Sequence, residues 1–411
     1  MTDGAGWVSR SVAENIRLAK GLLYPPAAFQ GRIGSAKGLW RVEFDEKRKG
    51  DWIDISDSQR KWEDREDNTL EANHPCHRTF EVLECVHPLK PGKLSSQMLP
   101  IFMSQALNPK EMRETLHNLN EQGLKNDLDK INEAFKDPAL LQHWAYASNP
   151  NIKEKLRAGE VPNTAGMPTC IQDQIQALAE GGFTPVNNAF LRDRTYKLLN
   201  ASCDKLKEKL GIPIPRSTNV YITPDRRGIL KSGEVFLQFS NIVDEESGIC
   251  GEQLVGRELL IARSPAHFAS DIQRVKVVAK EELMGYQNIM ICSTKGHNGG
   301  PSIADFLSGG DFDGDKVFAV WEPKIVGNFN DVDIPEKPDL VKEGFIRKDS
   351  ITYDELTKNH SNPTLHWLTY SFNFQMRPQM LGRCTVKTDC VYIQGLLINQ
   401  MRLLGIPSWV S

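Results

Sequence analysis

At 411 residues, 40% of them apolar and 25% charged, the chain can bury more than one core, and its composition excludes a disordered or fibrous polymer. A net charge of −3 supplies no overall attraction to nucleic acid, so any polyanion contact has to come from local groups of Lys and Arg. No run of about 18 apolar residues occurs, and Met1 to Arg10 has neither the basic start nor the apolar stretch of a signal peptide, so an intracellular protein of the cytoplasm or nucleus is expected, with no membrane partner.

The first expected element is a short helix. Ser11 and Glu14 have the capping-box spacing, Val12, Ile16 and Ala19 fall on one face, and Gly21 should end it. From Tyr24 to about Cys85 the chain changes to Gly, Pro and short alternating runs, such as Trp40, Val42 and Phe44 in GLWRVEF, which read as a small β domain. Inside it, HPCHRTFEVLECVH gathers His74, Cys76, His77, Cys85 and His87. That spacing matches no standard zinc site, and Phe80, Val82 and Cys85 read as strand residues. The eight cysteines form no CxxC pair, as in a reduced compartment, and no structural disulfide is expected.

Asn108 and Pro109 have the character of a helix cap and first helical position, and the run to Lys136 is rich in helix formers. Two further helices are expected, one carrying Ile171, Ile175 and Leu178 ahead of Gly181, the other carrying Leu191, Leu198, Leu199, Leu206 and Leu210 ahead of Gly211. After PIPRS the strand texture returns, with NVYIT, EVFLQF, ELLIAR, RVKVVAK, NIMICS and KVFAVW in succession. Beyond Pro323 a polar stretch precedes NPTLHWLTYSFNFQM and VYIQGLLINQMRLLGI, which read as helices, and the last segment looks like part of a longer chain. No repeat of the kind that builds solenoids is present, yet two β domains of similar size fit a duplicated barrel. The expected α+β organisation is a helix and first β domain over 1–107, a helical connector over 108–213, a second β domain over 214–326 and C-terminal helices over 327–411.

The most informative stretch is SGGDFDGDKVFAVW, at Ser308 to Trp321. Asp311, Asp313 and Asp315 fall at every second position, where an extended backbone turns them to one side and their charges repel. Gly309, Gly310 and Gly314 let the backbone bend and bring the carboxylates round a common point. An acidic turn is ordinarily just solvated, but three aspartates around a glycine and leading into an apolar strand depart from that pattern. A calcium loop would use the same aspartates at positions 1, 3 and 5, with Glu322 at position 12, but it requires glycine where Lys316 stands. Hard oxygen ligands of this kind suit Mg²⁺ shared with substrate phosphates, and phosphoryl or nucleotidyl transfer is the natural chemistry.

GGDFDGD resembles the metal-binding signature of eukaryotic cellular RNA-dependent RNA polymerases of the fungal RNA-silencing, or quelling, type, and is similar to the acidic motif of the large subunit of multisubunit RNA polymerases. TDGAG at Thr2 to Gly6, FQGRIGSAKGLW at Phe29 to Trp40, LKSGEVFLQFS at Leu230 to Ser240, ARSPAHFASDIQ at Ala262 to Gln273 and STKG at Ser293 to Gly296 resemble further segments of these enzymes, in the same order. The resemblance implies two double-psi β-barrels facing each other across an active site, joined by the helical connector. It also implies a catalytic core cut from a longer protein, which copies single-stranded RNA from ribonucleoside triphosphates for RNA silencing.

On that resemblance Asp311, Asp313 and Asp315 hold two Mg²⁺ ions, with Mn²⁺ able to substitute. Lys37 in GSAKG, Lys61 in DSQRKW and Arg32 neutralise nucleotide or strand phosphates, Arg263 in ARSPAHF contacts the ribose, and Lys231 and Lys295 are further candidates for template or nucleotide contact. The multisubunit enzymes place Asn two residues before the first aspartate. This chain has Gly309 there, which leaves sugar discrimination looser or resting on Arg263. His267 reads as a packed or capping residue. The alternatives are a catalytically inactive platform for single-stranded nucleic acid, which three intact aspartates argue against, and a polymerase preferring single-stranded DNA templates. Metal-assisted phosphoester hydrolysis explains neither the paired β domains nor the lysine motifs. Oligomeric state is not written in these residues.

Overall fold

Alternating apolar positions near the N-terminus form a five-stranded sheet of β1 (Ala5–Ser9), β2 (Ala28–Ile33), β3 (Ala36–Glu43), β4 (Ile53–Asp54) and β5 (Glu81–Cys85), in the order β4-β1-β3-β2-β5. The computed structural model describes residues 3–44, 48–61, 75–149, 163–208, 211–240, 254–266, 268–295, 302–333, 341–342, 344, 350–358 and 360–376. Two compact units divide the chain, Met1–Val332 and Asp333–Ser411. In the first sheet β1 and β3 run parallel and the other pairings are antiparallel. The β2–β3 hairpin closes with Ile33 opposite Ala36, and Gly34 supplies the positive φ (55°) that so tight a turn requires. Val8, Phe29, Trp40, Val42 and Cys85 pack as one buried cluster with Ala13 of the helix Arg10–Lys20.

The cap of that helix lies two residues before the expected one. Ser9, at the extended end of β1, is the N-cap and accepts from Val12 N, while Ser11 donates to Gly50 O and Glu14 binds Arg17. A cap needs non-helical backbone, which the strand end supplies at Ser9 and the first helical turn denies to Ser11. Gly21 ends the helix in the left-handed conformation, as expected.

The second sheet takes its edge strand β6 (Pro91–Ser95) from within the 1–107 segment. A small hairpin of β7 (Asn163–Thr164) and β8 (Met167–Pro168) lies apart from it. The other strands are β9 (Gly211–Pro224), β10 (Glu234–Leu237), β11 (Glu258–Ala262), β12 (Ile272–Val277), β13 (Ile289–Cys292) and β14 (Lys316–Val320). Their order is β13-β10-β12-β11-β14-β9-β6, and β13 also pairs with β9, so the pairing of six strands returns to its starting point. Strands β11, β13 and β14 are covered on both faces, which is why they read as near-continuous apolar runs, while β6 and β12 keep exposed positions. Val220, Ile222, Leu259, Ile261, Val275, Val317 and Phe312 fill one side, and Leu260, Ala262, Phe318 and Val320 pack on Leu94, Phe102 and Met112 on the other.

The connector contains the helix Pro109–Ala134, capped by Asn108 accepting from Glu111 N, and Met112 and Leu116 face the core. Pro138–Ala147, capped by Asp137, was not expected; it packs through Leu141 and Ala145 on Ile175 and Leu191 of the expected helices Ile171–Glu180 and Ala189–Glu208. In the unit Asp333–Ser411 the helices Tyr353–Thr357 and Pro363–Gln375 contact each other. The helix expected over 391–406, His74 and His267 lie outside the described residues. Among the described residues no helix is long and apolar enough to cross a membrane.

Candidate active site

The acidic turn forms because its backbone is unusually contorted and then pinned. After the short helix Ile303–Phe306, Ser308 (φ 54°), Gly309 (φ 65°) and Gly314 (φ 128°) all adopt left-handed conformations. Between them Phe312 is fully buried in the core of the second sheet, so its aspartate neighbours project the other way. The Asp311 amide donates to Asp315 Oδ2 (3.0 Å) and the Asp313 amide to Asp311 Oδ1 (3.2 Å), which folds the carboxylates inward. Their ligand oxygens lie within 4.8 Å of one another, all on half-buried residues. Burial pushes the Asp311 carboxyl up to about 6, and the Asp313 and Asp315 charges add to the shift against a backbone hydrogen bond from Asp313.

Two cations meet the triad. Lys37 Nζ reaches across from β3 to Asp313 Oδ2 at 2.9 Å. Arg263, just past the end of β11, grips Asp315 with Nε (2.7 Å) and Nη2 (3.1 Å) and turns Nη1 toward Ser308 O (3.4 Å). Gly310 is required beneath it, because a Cβ there would stand 2.8 Å from Arg263 Cδ.

The remaining expected cations divide into two groups. Arg32 is exposed and lies opposite Lys37 in the β2–β3 register, and the Lys61 amide donates to Ser35 O at 3.0 Å, so both gather at the hairpin that carries Lys37. Lys231 and Lys295 are exposed and form no hydrogen bond or ion pair with the triad; Lys295 Nζ donates instead to Gly228 O at 2.7 Å.

Sequence reasoning missed three residues that touch the acidic turn, two just ahead of β1 and one on β2. Asp3 O accepts from Phe312 N at 2.8 Å, Gly4 (φ 88°) packs directly on Asp313, and Gln30 lies against Gly314. Burial, together with Asp305, Asp313 and Asp315, also raises the Asp3 carboxyl above its usual range. The signal for the Asp313 contact was Gly4 in TDGAG, a residue that permits close approach without saying to what.

The donor set fits a divalent cation. Three hard carboxylate oxygens converge, and they are the converging His, Cys, Asp or Glu group among the described residues; His77, Cys85 and His87 make no such cluster. Carboxylates so close, with one held protonated up to about pH 6, need positive charge between them.

The sequence profile of the RNA dependent RNA polymerase family matches residues 1–403. The chain is 26% identical over 392 residues to RNA-dependent RNA polymerase 1 of Schizosaccharomyces pombe, covering 86% of this chain and 28% of that one. It is 23% identical over 351 residues to RNA-dependent RNA polymerase 2 of Arabidopsis thaliana, covering 79% and 26%. Its fold is similar to the solved RNA dependent RNA polymerase QDE-1 from Thielavia terrestris, with a TM-score of 0.80 and 34% identity over 95% of this chain and 42% of that one. The chain thus spans about a quarter of the length of these two curated relatives. A profile that runs through both sheets and across the acidic turn places the chain in the RNA-dependent RNA polymerase family.

Proposed function

We propose that this chain is the catalytic portion of an RNA-dependent RNA polymerase that copies single-stranded RNA from ribonucleoside triphosphates, acting inside the cell to make double-stranded precursors for RNA silencing. The observation that carries this reading is the convergence of three carboxylates within 4.8 Å on a turn that Lys37 reaches from the other sheet. The closed circuit of pairings through β9, β13, β10, β12, β11 and β14 supports a double-psi β-barrel for the second sheet. The parallel β1–β3 pair flanked by antiparallel strands supports a related barrel for the first.

Asp311, Asp313 and Asp315 would hold two Mg²⁺ ions. When bound, the metal lowers the pKa of the attacking 3′-hydroxyl and steadies charge on the triphosphate and departing pyrophosphate. Lys37 and Arg32 stand opposite each other across the hairpin, Lys37 already paired with Asp313, so together they place positive charge beside the triad where a nucleotide phosphate would lie. Lys61 adds a third cation at the same turn. Arg263 directs its fork to Asp315, which supports a role in orienting that carboxylate alongside the ribose contact expected from the sequence.

The test is incorporation of labelled ribonucleotides on single-stranded RNA with Mg²⁺, comparing the chain with Asp313→Ala. Incorporation that falls at least about a hundredfold in the variant is expected, since the change removes a metal ligand without opening a core. Equal incorporation by both would refute the assignment, and activity confined to single-stranded DNA templates would correct the template.

A further inference from the structure

Strand β14 begins at Lys316, directly after the last aspartate of the triad. Successive strand residues face opposite sides, so whatever fixes Lys316 also fixes the rotation of Asp315. Lys316 is held in three ways. Its Nζ donates to Glu84 Oε1 of β5 in the first sheet at 3.0 Å, it lies 4.3 Å from the centre of the Tyr221 ring, and its backbone pairs with Tyr221 on β9. Burial, and after it the nearby Glu84 carboxylate, raise the pKa of the Tyr221 hydroxyl, and Tyr221 itself is buried. On the opposite side of the strand Asp315 meets the Arg263 fork. Glu84 in turn stands opposite Gln30 in the β2–β5 register, and Gln30 lies against Gly314.

We infer that Lys316 and Glu84 are positioning residues, which lock the rotation of the strand leaving the acidic turn and so aim Asp315 at the metal site. The inference rests on the metal role proposed above for the triad. The side chains of this ion pair are 42% and 43% exposed, so it adds little to stability, and its effect belongs to orientation.

At Lys316, charge alone and positioning predict opposite signs. Removing the Lys316 cation near three carboxylates should, by Coulomb's law, tighten binding of a divalent cation, whereas removing Glu84 should weaken it. If the pair positions Asp315, both losses weaken binding. The experiment is Mn²⁺ titration of the whole chain, read by electron paramagnetic resonance, for the wild type, Lys316→Met, Lys316→Gln, Lys316→Arg and Glu84→Gln. Circular dichroism confirms the fold of each, and the two neutral Lys316 variants stand in for one another if either fails to fold.

We expect Lys316→Met, Lys316→Gln and Glu84→Gln each to lose about tenfold in Mn²⁺ affinity, as removal of an orienting partner does at other metal sites. Lys316→Arg, which keeps both the ion pair and the ring contact, should bind as the wild type does. Folded neutral Lys316 variants that bind Mn²⁺ as tightly as the wild type, or more tightly, overturn the inference. A wild type that binds no Mn²⁺ overturns the metal role itself.

Discussion

Replacing Gly4 by alanine tests whether the first sheet shapes the acidic turn. The added methyl would sit 2.6 Å from Asp313 Cβ, 2.9 Å from its Cα and 3.0 Å from its N, well inside carbon contact distance, and two of these atoms are backbone that no rotamer change can clear. Gly4 also has φ 88°, which adds about 1–2 kcal/mol of left-handed strain. Overpacking of this kind costs a further 1–3 kcal/mol, roughly, so the sum is about 2–5 kcal/mol. Gly21→Ala is the matched control: φ there is 63°, and a Cβ would meet nothing within 4 Å, leaving strain alone. The assay is guanidinium unfolding followed by tryptophan fluorescence, with Mn²⁺ titration in parallel. Gly4→Ala should lose more stability than the control and about tenfold in Mn²⁺ affinity, because Asp313 must move, while Gly21→Ala should keep its metal affinity. If the two variants prove equal in both assays, the first sheet does not hold the turn, and the reasoning fails.

Two other outcomes follow from the same geometry. The Asp311 carboxyl stands at about 6, above its ordinary value, so the folded chain takes up a proton there that the unfolded chain does not take up until pH nears 4. Metal affinity should therefore fall about tenfold per pH unit below 6, and Asp311 should favour folding more as pH drops from above 6 toward 4, the reverse of a salt-bridged carboxylate; Mn²⁺ titrations and unfolding curves from pH 7 to 4.5, with Asp311→Asn as reference, check both signs. Phe312→Ala should cost about 3–5 kcal/mol by emptying a fully buried site beneath the turn, and weaken Mn²⁺ binding although no ligand is touched, which the same two assays measure.

Strands β11, β13 and β14 were legible in the sequence because both of their faces are buried, whereas β6, with Pro91 and Lys93 exposed, was not. Leu259, Leu260, Ile261 and Ala262 are each at most 1% exposed, so the run ELLIA carries its own signal. The helix caps at Asn108 and Gly21 were legible because capping is local chemistry, whereas Ser11 misled because the spacing of a capping box repeats easily and the strand end that selects Ser9 is a tertiary outcome. The acidic triad announced itself by charge at a period that ordinary packing disfavours. Its partners did not, since Lys37 and Asp313 are 276 residues apart and Glu84 and Lys316 are 232 apart. What brings them together is the placement of one sheet against the other, and the residues that permit it carry no charge. Gly4 and Gly314 are small where the sheets touch, and Gln30 is neutral. A seam of this kind is written in the absence of side chains, which a sequence displays only as glycine. Charged residues report where a site is, and small ones decide how closely its two halves approach, so the placing of Asp313 depends on Gly4, which packs against it, as well as on its own turn.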